Sequence, residues 1–384
     1  AHCRKMFAGV RCAALRYSLG SFIQKRTATG IVMLNMGGPE SLEEVGPFLH
    51  NLFTDTDIIE MPFQRFTAPL IARRRTPHVK KLYAEIGNCS PITRLTKEQA
   101  RGITELLDEI SPQTAPHKAY IAFRYAGPTV SDALDRMAKD GIERAVAFSQ
   151  YPQFSCTTAG SSLNHLWKTL KEKNMEKTFQ WSILDRWPTH PKFIDAVVSN
   201  IKKGLEMFSE GCRSDAILLF SAHSLPLRTV FKGDQYAAEV AATVYDVMKK
   251  LNFSHKYMLT WQSQVGRIPW LEPQTDKILK ELGKTKRSTL VVPIAFTTDH
   301  IETLSEIDIE FKEVAEKAGI KEFFRAPSLN AEPAAIDALA SIVKDHLDQK
   351  QLHSLQYKFR CPGCTKPFCR SIVNPESSYS VTAL

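Results

Sequence analysis

No run of about 18 apolar residues occurs in the chain, which excludes a spanning helix. Phosphate-binding signatures are also missing. Gly37-Gly38-Pro39 follows an apolar run, but there is neither G-x-G-x-x-G nor a GK[ST] ending, and Pro39 removes an amide that phosphate would use. No G-x-S-x-G turn presents a serine nucleophile. Hydride transfer and acyl hydrolysis are therefore set aside. Acid is absent from residues 1–29, which hold Arg4, Lys5, Arg11, Arg16, Lys25 and Arg26. The formal charge of +9 is largely this end effect: without those six, 44 basic residues face 41 acidic ones, which gives no reason to expect a nucleic-acid partner. An Arg-rich, acid-free segment with hydroxyl residues and no apolar core has the composition of a mitochondrial presequence.

What remains alternates regularly. Short apolar runs at Ile31–Leu34, Ala119–Phe123, Ala145–Phe148, Gln180–Leu184, Ala216–Phe220, Tyr257–Thr260 and Leu290–Phe296 read as strands. Val130–Lys139, Phe193–Phe208, Ala237–Leu251 and Ile301–Lys317 read as amphipathic helices. The expected fold is α/β, two Rossmann-like halves with parallel sheets flanked by helices and a cleft between them. The expected divisions are presequence 1–29, halves 30–200 and 201–350, and a cysteine-bearing extension 351–384.

In open α/β sheets ligands bind beyond the carboxyl ends of strands. Here those ends carry Asn35-Met36, Arg124-Tyr125, Gln150-Tyr151, His223, Gln262-Ser263 and Asp299-His300. After the last comes an acidic run in which Glu302, Glu306 and Glu310 stand four apart, one helical face with a solvated or a cation-carrying role. Its start at a strand end favours the second, with His223 arriving as a base from another strand.

Cys361-Pro-Gly-Cys364 and Cys369 form C-x₂-C-x₄-C. Three thiolates this close in a Pro/Gly-rich loop have metal-ligand spacing, and the run resembles the plant-type 2Fe–2S pattern reversed. Structural zinc and free thiols are the alternatives. Either centre needs a fourth ligand from elsewhere: Cys156 in a strand-end loop is the best candidate, with Cys89 and Cys212 as the others. Cys3 and Cys12 fall in the basic segment.

The motifs Leu34-Asn-Met-Gly-Gly-Pro39, Arg74-Arg-Thr-Pro77, Ser90-Pro-Ile92, Gln150-Tyr-Pro-Gln153, Phe220-Ser-Ala-His-Ser-Leu-Pro226 and Phe296-Thr-Thr-Asp-His-Ile-Glu-Thr-Leu304 together resemble the protoporphyrin ferrochelatases, over roughly residues 30–370. The resemblance implies insertion of Fe²⁺ into protoporphyrin IX. It implies His223 and Glu302 as the catalytic pair, supported by Asp299 and His300. Glu306, Asp308 and Glu310 become an iron path. Met36, Arg75, Ser90, Arg124, Tyr125, Tyr151 and Trp270 become substrate contacts, and Cys156, Cys361, Cys364 and Cys369 the ligands of a 2Fe–2S cluster. It further implies a homodimer held peripherally on the matrix side of the mitochondrial inner membrane. Two positions depart from the family pattern: Gly127-Pro128 stands where many members have His-Pro, and Asn88-Cys89 interrupts a glycine-rich stretch before Ser90. The segment Met61–Ile71, followed by Arg73-Arg74-Arg75, suits a cleft rim or a bilayer contact. A non-catalytic tetrapyrrole carrier would need no base facing a carboxylate. A zinc-ribbon docking protein would leave the acidic helix as surface.

Overall fold

The structure, a computed structural model, describes residues 27–372 except 59, 267, 350 and 359. The basic segment through residue 26, with Cys3 and Cys12, lies outside the described residues. Eight strands are present among the described residues: β1 Thr29–Asn35, β2 His117–Phe123, β3 Arg144–Ser149, β4 Gln180–Leu184, β5 Ile217–His223, β6 Tyr257–Gln262, β7 Thr289–Pro293 and β8 Phe323–Arg325. They form two wholly parallel sheets, β2-β1-β3-β4 and β6-β5-β7-β8, so the same strand order is built twice. Every residue of β1 and β7 is buried, as strands covered by helices on both faces must be. The order reverses between β1 and β3 and again between β5 and β7, which puts the two crevices that suit a ligand beside Met36 and His223.

Local chemistry sets the helix boundaries. Thr129 and Asp132 form a reciprocal capping box at the start of Val130–Lys139. Proline occupies the first turn of Pro191–Glu206 and of Pro333–Asp348, where its missing N–H costs nothing.

Three expectations are corrected. β8 has only three half-buried residues, too short a run to show an apolar period. β7 ends at Pro293 instead of Phe296; proline has no N–H for the ladder, and only Ile294 makes one more bond, to the Ser221 carbonyl (3.1 Å). The stretch 301–317 is not one α-helix. It is π-helical over Glu302–Phe311 and α-helical over Lys312–Ala318, and it stops at Gly319 with φ 85°. A ten-residue π-helix is unusual, and such segments are concentrated at functional sites.

One buried core runs through both halves, joining Ile31, Met33 and Phe148 to Leu218, Phe220 and Val292. Helix Pro333–Asp348 packs against both Ile92–Ile110 and Pro191–Glu206. The chain then returns to the first half: Ile183 N–H donates to the Leu352 carbonyl (2.6 Å), and Tyr357 is buried in that half's core. Among the described residues no helix is long and apolar enough to cross a membrane.

Candidate active site

The loop after β1 explains its glycines without phosphate. Gly37 has φ 77°, and a Cβ there would come within 2.9 Å of the Phe123 ring; a Cβ on Gly38 would lie 2.7 Å from Ser90. The pair lets the backbone press between those two residues while Met36 stays half-buried beside helix Gln64–Glu85.

β5 ends at His223 and the π-helix begins at Glu302, so the two side chains meet across the crevice. His223 Nε2 lies 3.5 Å from Glu302 Oε1, and His300 Nε2 lies 3.4 Å from Oε2. His223 Nδ1 is 2.6 Å from the Ser224 carbonyl. A carbonyl only accepts, so Nδ1 carries a proton and Nε2 is the ring nitrogen turned toward Glu302. Burial pushes the Glu302 carboxyl up, but the charges of His223 and His300 and the His300 hydrogen bond more than offset it and hold Glu302 below its ordinary value. The Trp270 ring centroid is 6.4 Å from that of His223.

The next rung behaves oppositely. Glu306 is pushed up by burial and by the Glu302 charge, against hydrogen bonds from Ser263 and Gln262. Gln262 Nε2 donates to it at 2.9 Å, Ser263 N–H at 2.8 Å and the Ser263 hydroxyl at 2.5 Å. Ser263 holds φ 66°, a left-handed conformation that costs a residue with a Cβ about 1 kcal/mol. Glu310 is exposed and also pushed up, by burial first and then by Glu85, with His78 opposing. The three glutamates therefore step from the crevice to the surface.

Asp299 and Asp308 leave that row. Arg325 binds both Asp308 oxygens (2.7 and 2.8 Å) and Asp299 Oδ1 (3.0 Å), and Ser328 and Asn330 complete the Asp299 shell. Burial alone would raise Asp299, but Arg325 and these donors hold it low. A carboxyl depressed by folding contributes stability that is complete above its unfolded value and lost as pH falls through the folded one. Arg325→Met therefore costs about 2 kcal/mol, below the cost for a fully buried pair because Asp308 is partly exposed. In a urea titration its midpoint falls, and in an acid titration it unfolds at higher pH than the wild type.

The remaining expected contacts divide. Arg124 Nη2 pairs with the buried Asp55 at 3.2 Å, the Tyr125 hydroxyl donates to the same oxygen at 2.6 Å, and the Ser161 hydroxyl at 2.5 Å. Tyr125 thus turns its polar end to Asp55; burial and that charge push its phenol far up. Tyr151 is pushed up by burial, against the Met36 backbone N–H on its oxygen. Arg75 lies half-buried over the Phe53 ring. Ser90 is buried against Gly38, and its hydroxyl accepts the Ile92 N–H, so it stands away from an open mouth. No sequence motif distinguishes Asp55, Ser161, Ser328 and Arg325 from turn and surface residues.

Cys156, Cys361, Cys364 and Cys369 all line one cavity of about 50 Å³, together with Asp234, Arg228, Lys232, Lys366 and Arg370. Burial raises the Cys156 and Cys361 thiols and pushes Cys369 up to about 11, with the neighbouring thiols adding to it. Cys89 and Cys212 do not line it. Among the described residues no three His, Cys, Asp or Glu side chains converge tightly enough for a single metal ion.

Fold and site together define an α/β enzyme of two doubly wound halves, with an imidazole, a carboxylate and an acidic row meeting where the strand order reverses. The Ferrochelatase family model matches residues 28–347. "Ferrochelatase, mitochondrial" of Dictyostelium discoideum is 51% identical, covering 90% of this chain and 88% of that protein. The Homo sapiens protein of the same description is 48% identical over 90% and 82%. In fold alone, the solved structure "SirB from Bacillus subtilis with Fe3+" is similar at TM-score 0.50 and 10% identity, covering 85% of this chain and 98% of that one. The chain belongs to the ferrochelatase family, the lyases that insert ferrous iron into protoporphyrin in haem biosynthesis.

Proposed function

We propose that His223 and Glu302 remove the two pyrrole protons that must leave as Fe²⁺ enters the protoporphyrin IX ring. The observation carrying this reading is the His223 geometry: with Nδ1–H committed to the Ser224 carbonyl, Nε2 is the ring nitrogen left to exchange a proton, 3.5 Å from Glu302. One proton goes to Nε2 and the second to the Glu302 carboxylate. Glu306, with its raised affinity for protons, takes charge outward toward Glu310, and the same row offers oxygen ligands to incoming Fe²⁺. His300 and Asp299 position Glu302 and the start of the π-helix. Met36, Tyr151, Trp270 and Arg124 supply the walls against the flat macrocycle, and Arg75 a cation for its carboxylates. Glu302→Gln keeps the shape and removes the acceptor, so anaerobic haem formation should fall at least about tenfold in kcat. An unchanged kcat would make the glutamate row a solvated face.

The four thiols around one cavity fit a 2Fe–2S cluster, whose ligands divide between two irons, better than one tetrahedral ion; Arg228 and Arg370 offset the negative charge of four thiolates. Bound there, the cluster would supply a coloured one-electron centre and a cross-link between the first half and the C-terminal loop.

Phe63, Phe66 and Leu70 are 82%, 74% and 68% exposed, beside Arg65, Arg73 and Arg74. Such a face suits a bilayer with anionic headgroups, and with the acid-free N-terminal composition and the mitochondrial relatives it supports peripheral attachment on the matrix side of the inner membrane. Co-sedimentation with anionic vesicles should fall at least about tenfold in Phe63→Glu/Phe66→Glu; wild-type sedimentation would remove this contact. The exposed ring ladder Tyr245, Phe253 and Tyr257 supports a homodimer surface.

A further inference from the structure

Three distant segments meet at Glu60. From the second half, Lys232 Nζ lies 3.1 and 3.3 Å from the two Glu60 carboxylate oxygens, and Arg228 donates to the Glu60 backbone carbonyl at 3.1 Å. From the cysteine loop, Lys366 Nζ lies 3.2 Å from Glu60 Oε1 and 3.8 Å from Asp57, and it donates to the Thr56 carbonyl at 2.8 Å. That loop is itself seated on the second half. Gly363 N–H donates to the Lys232 carbonyl at 2.9 Å, and a Cβ on Gly233, at φ 97°, would come within 2.4 Å of Pro362. Isolated surface ion pairs contribute little, whereas several charges and backbone carbonyls sharing one geometry hold a position.

The position of this joint gives it a consequence. Glu60 stands four residues before helix Gln64–Glu85, which packs on Met36 and Ile301 and whose Tyr83 phenol is pushed up by burial and by the Glu302 charge. Arg228 and Lys232 follow directly on the strand-end segment His223–Pro226. The joint therefore ties the chain leading into one wall of the crevice to the chain leaving the other. Lys366, between Cys364 and Cys369, is its third arm. None of these side chains bonds to His223 or Glu302.

We infer that Glu60 and Lys366 are positioning residues for the porphyrin: the seated cysteine loop latches the segment before helix Gln64–Glu85 to the segment after His223 and so sets the width of the cleft entrance. The inference rests on the cleft being the porphyrin site. It gives the C-terminal loop a route to substrate affinity that requires no electron or proton to pass between the cysteine cavity and the crevice.

The test is Lys366→Met in the full chain, with porphyrin binding read by fluorescence titration, steady-state KM and kcat, hydrogen exchange of residues 61–71, and the visible spectrum. The expected result is a rise of about threefold or more in porphyrin Kd and KM, kcat within about twofold, faster exchange in 61–71 and an unchanged spectrum. Lys366→Arg restores the affinity. Glu60→Gln weakens binding in the same direction, and the double variant loses less than the sum of the two singles, because both remove the Lys366–Glu60 contact. Lys366→Gln, which keeps a donor for the Thr56 carbonyl, serves where the Met variant lowers overall stability, and it shows the same direction with a smaller shift. Wild-type Kd and exchange in Lys366→Met, additive effects of the two sites, or a fall confined to kcat would each overturn the latch. Failure of the cleft reading shows elsewhere, as full activity in His223→Ala, and leaves these binding and exchange readouts interpretable.

Discussion

His223→Ala should lower metal insertion by about 10²-fold or more while protoporphyrin still binds, since a positioned base contributes about 10²–10⁴-fold. Two features of the site make the loss large. The Nδ1–H bond to the Ser224 carbonyl fixes one tautomer, so the wild-type ring offers its lone pair without first rearranging a proton. Its partner Glu302 is lowered by His223 and His300 when those rings carry charge, so removing one imidazole also changes the proton affinity of the second acceptor. The measurement is anaerobic haem formation beside fluorescence quenching of bound porphyrin. Retention of more than about a tenth of the wild-type kcat would remove His223 from proton abstraction. Loss of porphyrin binding together with rate would make His223 a wall of the cleft and not its base.

Much of this arrangement is legible in the sequence because buried parallel strands are continuous apolar runs. Ile31–Leu34 and Ala145–Phe148 lie inside β1 and β3, and the amphipathic period of Val130–Lys139 matches its helix to the residue, with Thr129 and Asp132 capping the start in the structure. The pairing of His223 with Glu302 was also accessible, since both follow strand ends and α/β sheets gather ligands there. What failed was finer. A spacing of four does not distinguish an α-helix from a π-helix, so Glu302, Glu306 and Glu310 share a row in either, while Asp308 turns to Arg325. Arg325 comes from the three-residue strand β8, which carries no periodic signal. Asp55 sits in a Thr-Asp-Thr-Asp stretch that reads as a turn; only the approach of Arg124, Tyr125 and Ser161 reveals a buried carboxylate. Motifs record what touches the substrate, whereas these supporting contacts come from positions as far as 106 residues apart and leave no local pattern.

The cysteine cavity makes the second large prediction, because it separates the four thiols by position. Cys156 enters from the π-helical turn Cys156–Gly160, where Asp234 accepts its backbone N–H at 2.7 Å and the Ser155 hydroxyl at 3.0 Å. Cys361, Cys364 and Cys369 come from a loop with little buried apolar side chain of its own. A centre bound by all four would pin that loop to the body, and ligand bonds would supply folding free energy that the loop's packing does not. Cys364→Ser and Cys156→Ser should therefore each abolish the visible absorption, release iron and sulfide, and lower the melting temperature, each kcal/mol lost shifting Tm by about 2–4 °C in domains of 150–250 residues. Cys89→Ser and Cys212→Ser should keep the spectrum, since neither thiol lines the cavity. Cys156 carries the sharper test, because it is the one thiol of the four that comes from outside the C-terminal loop. Full colour and iron in Cys156→Ser would move the fourth ligand elsewhere. Zinc without iron or sulfide in the wild type would replace the cluster with a single ion, and the four side chains would then have to close in from the separations seen here.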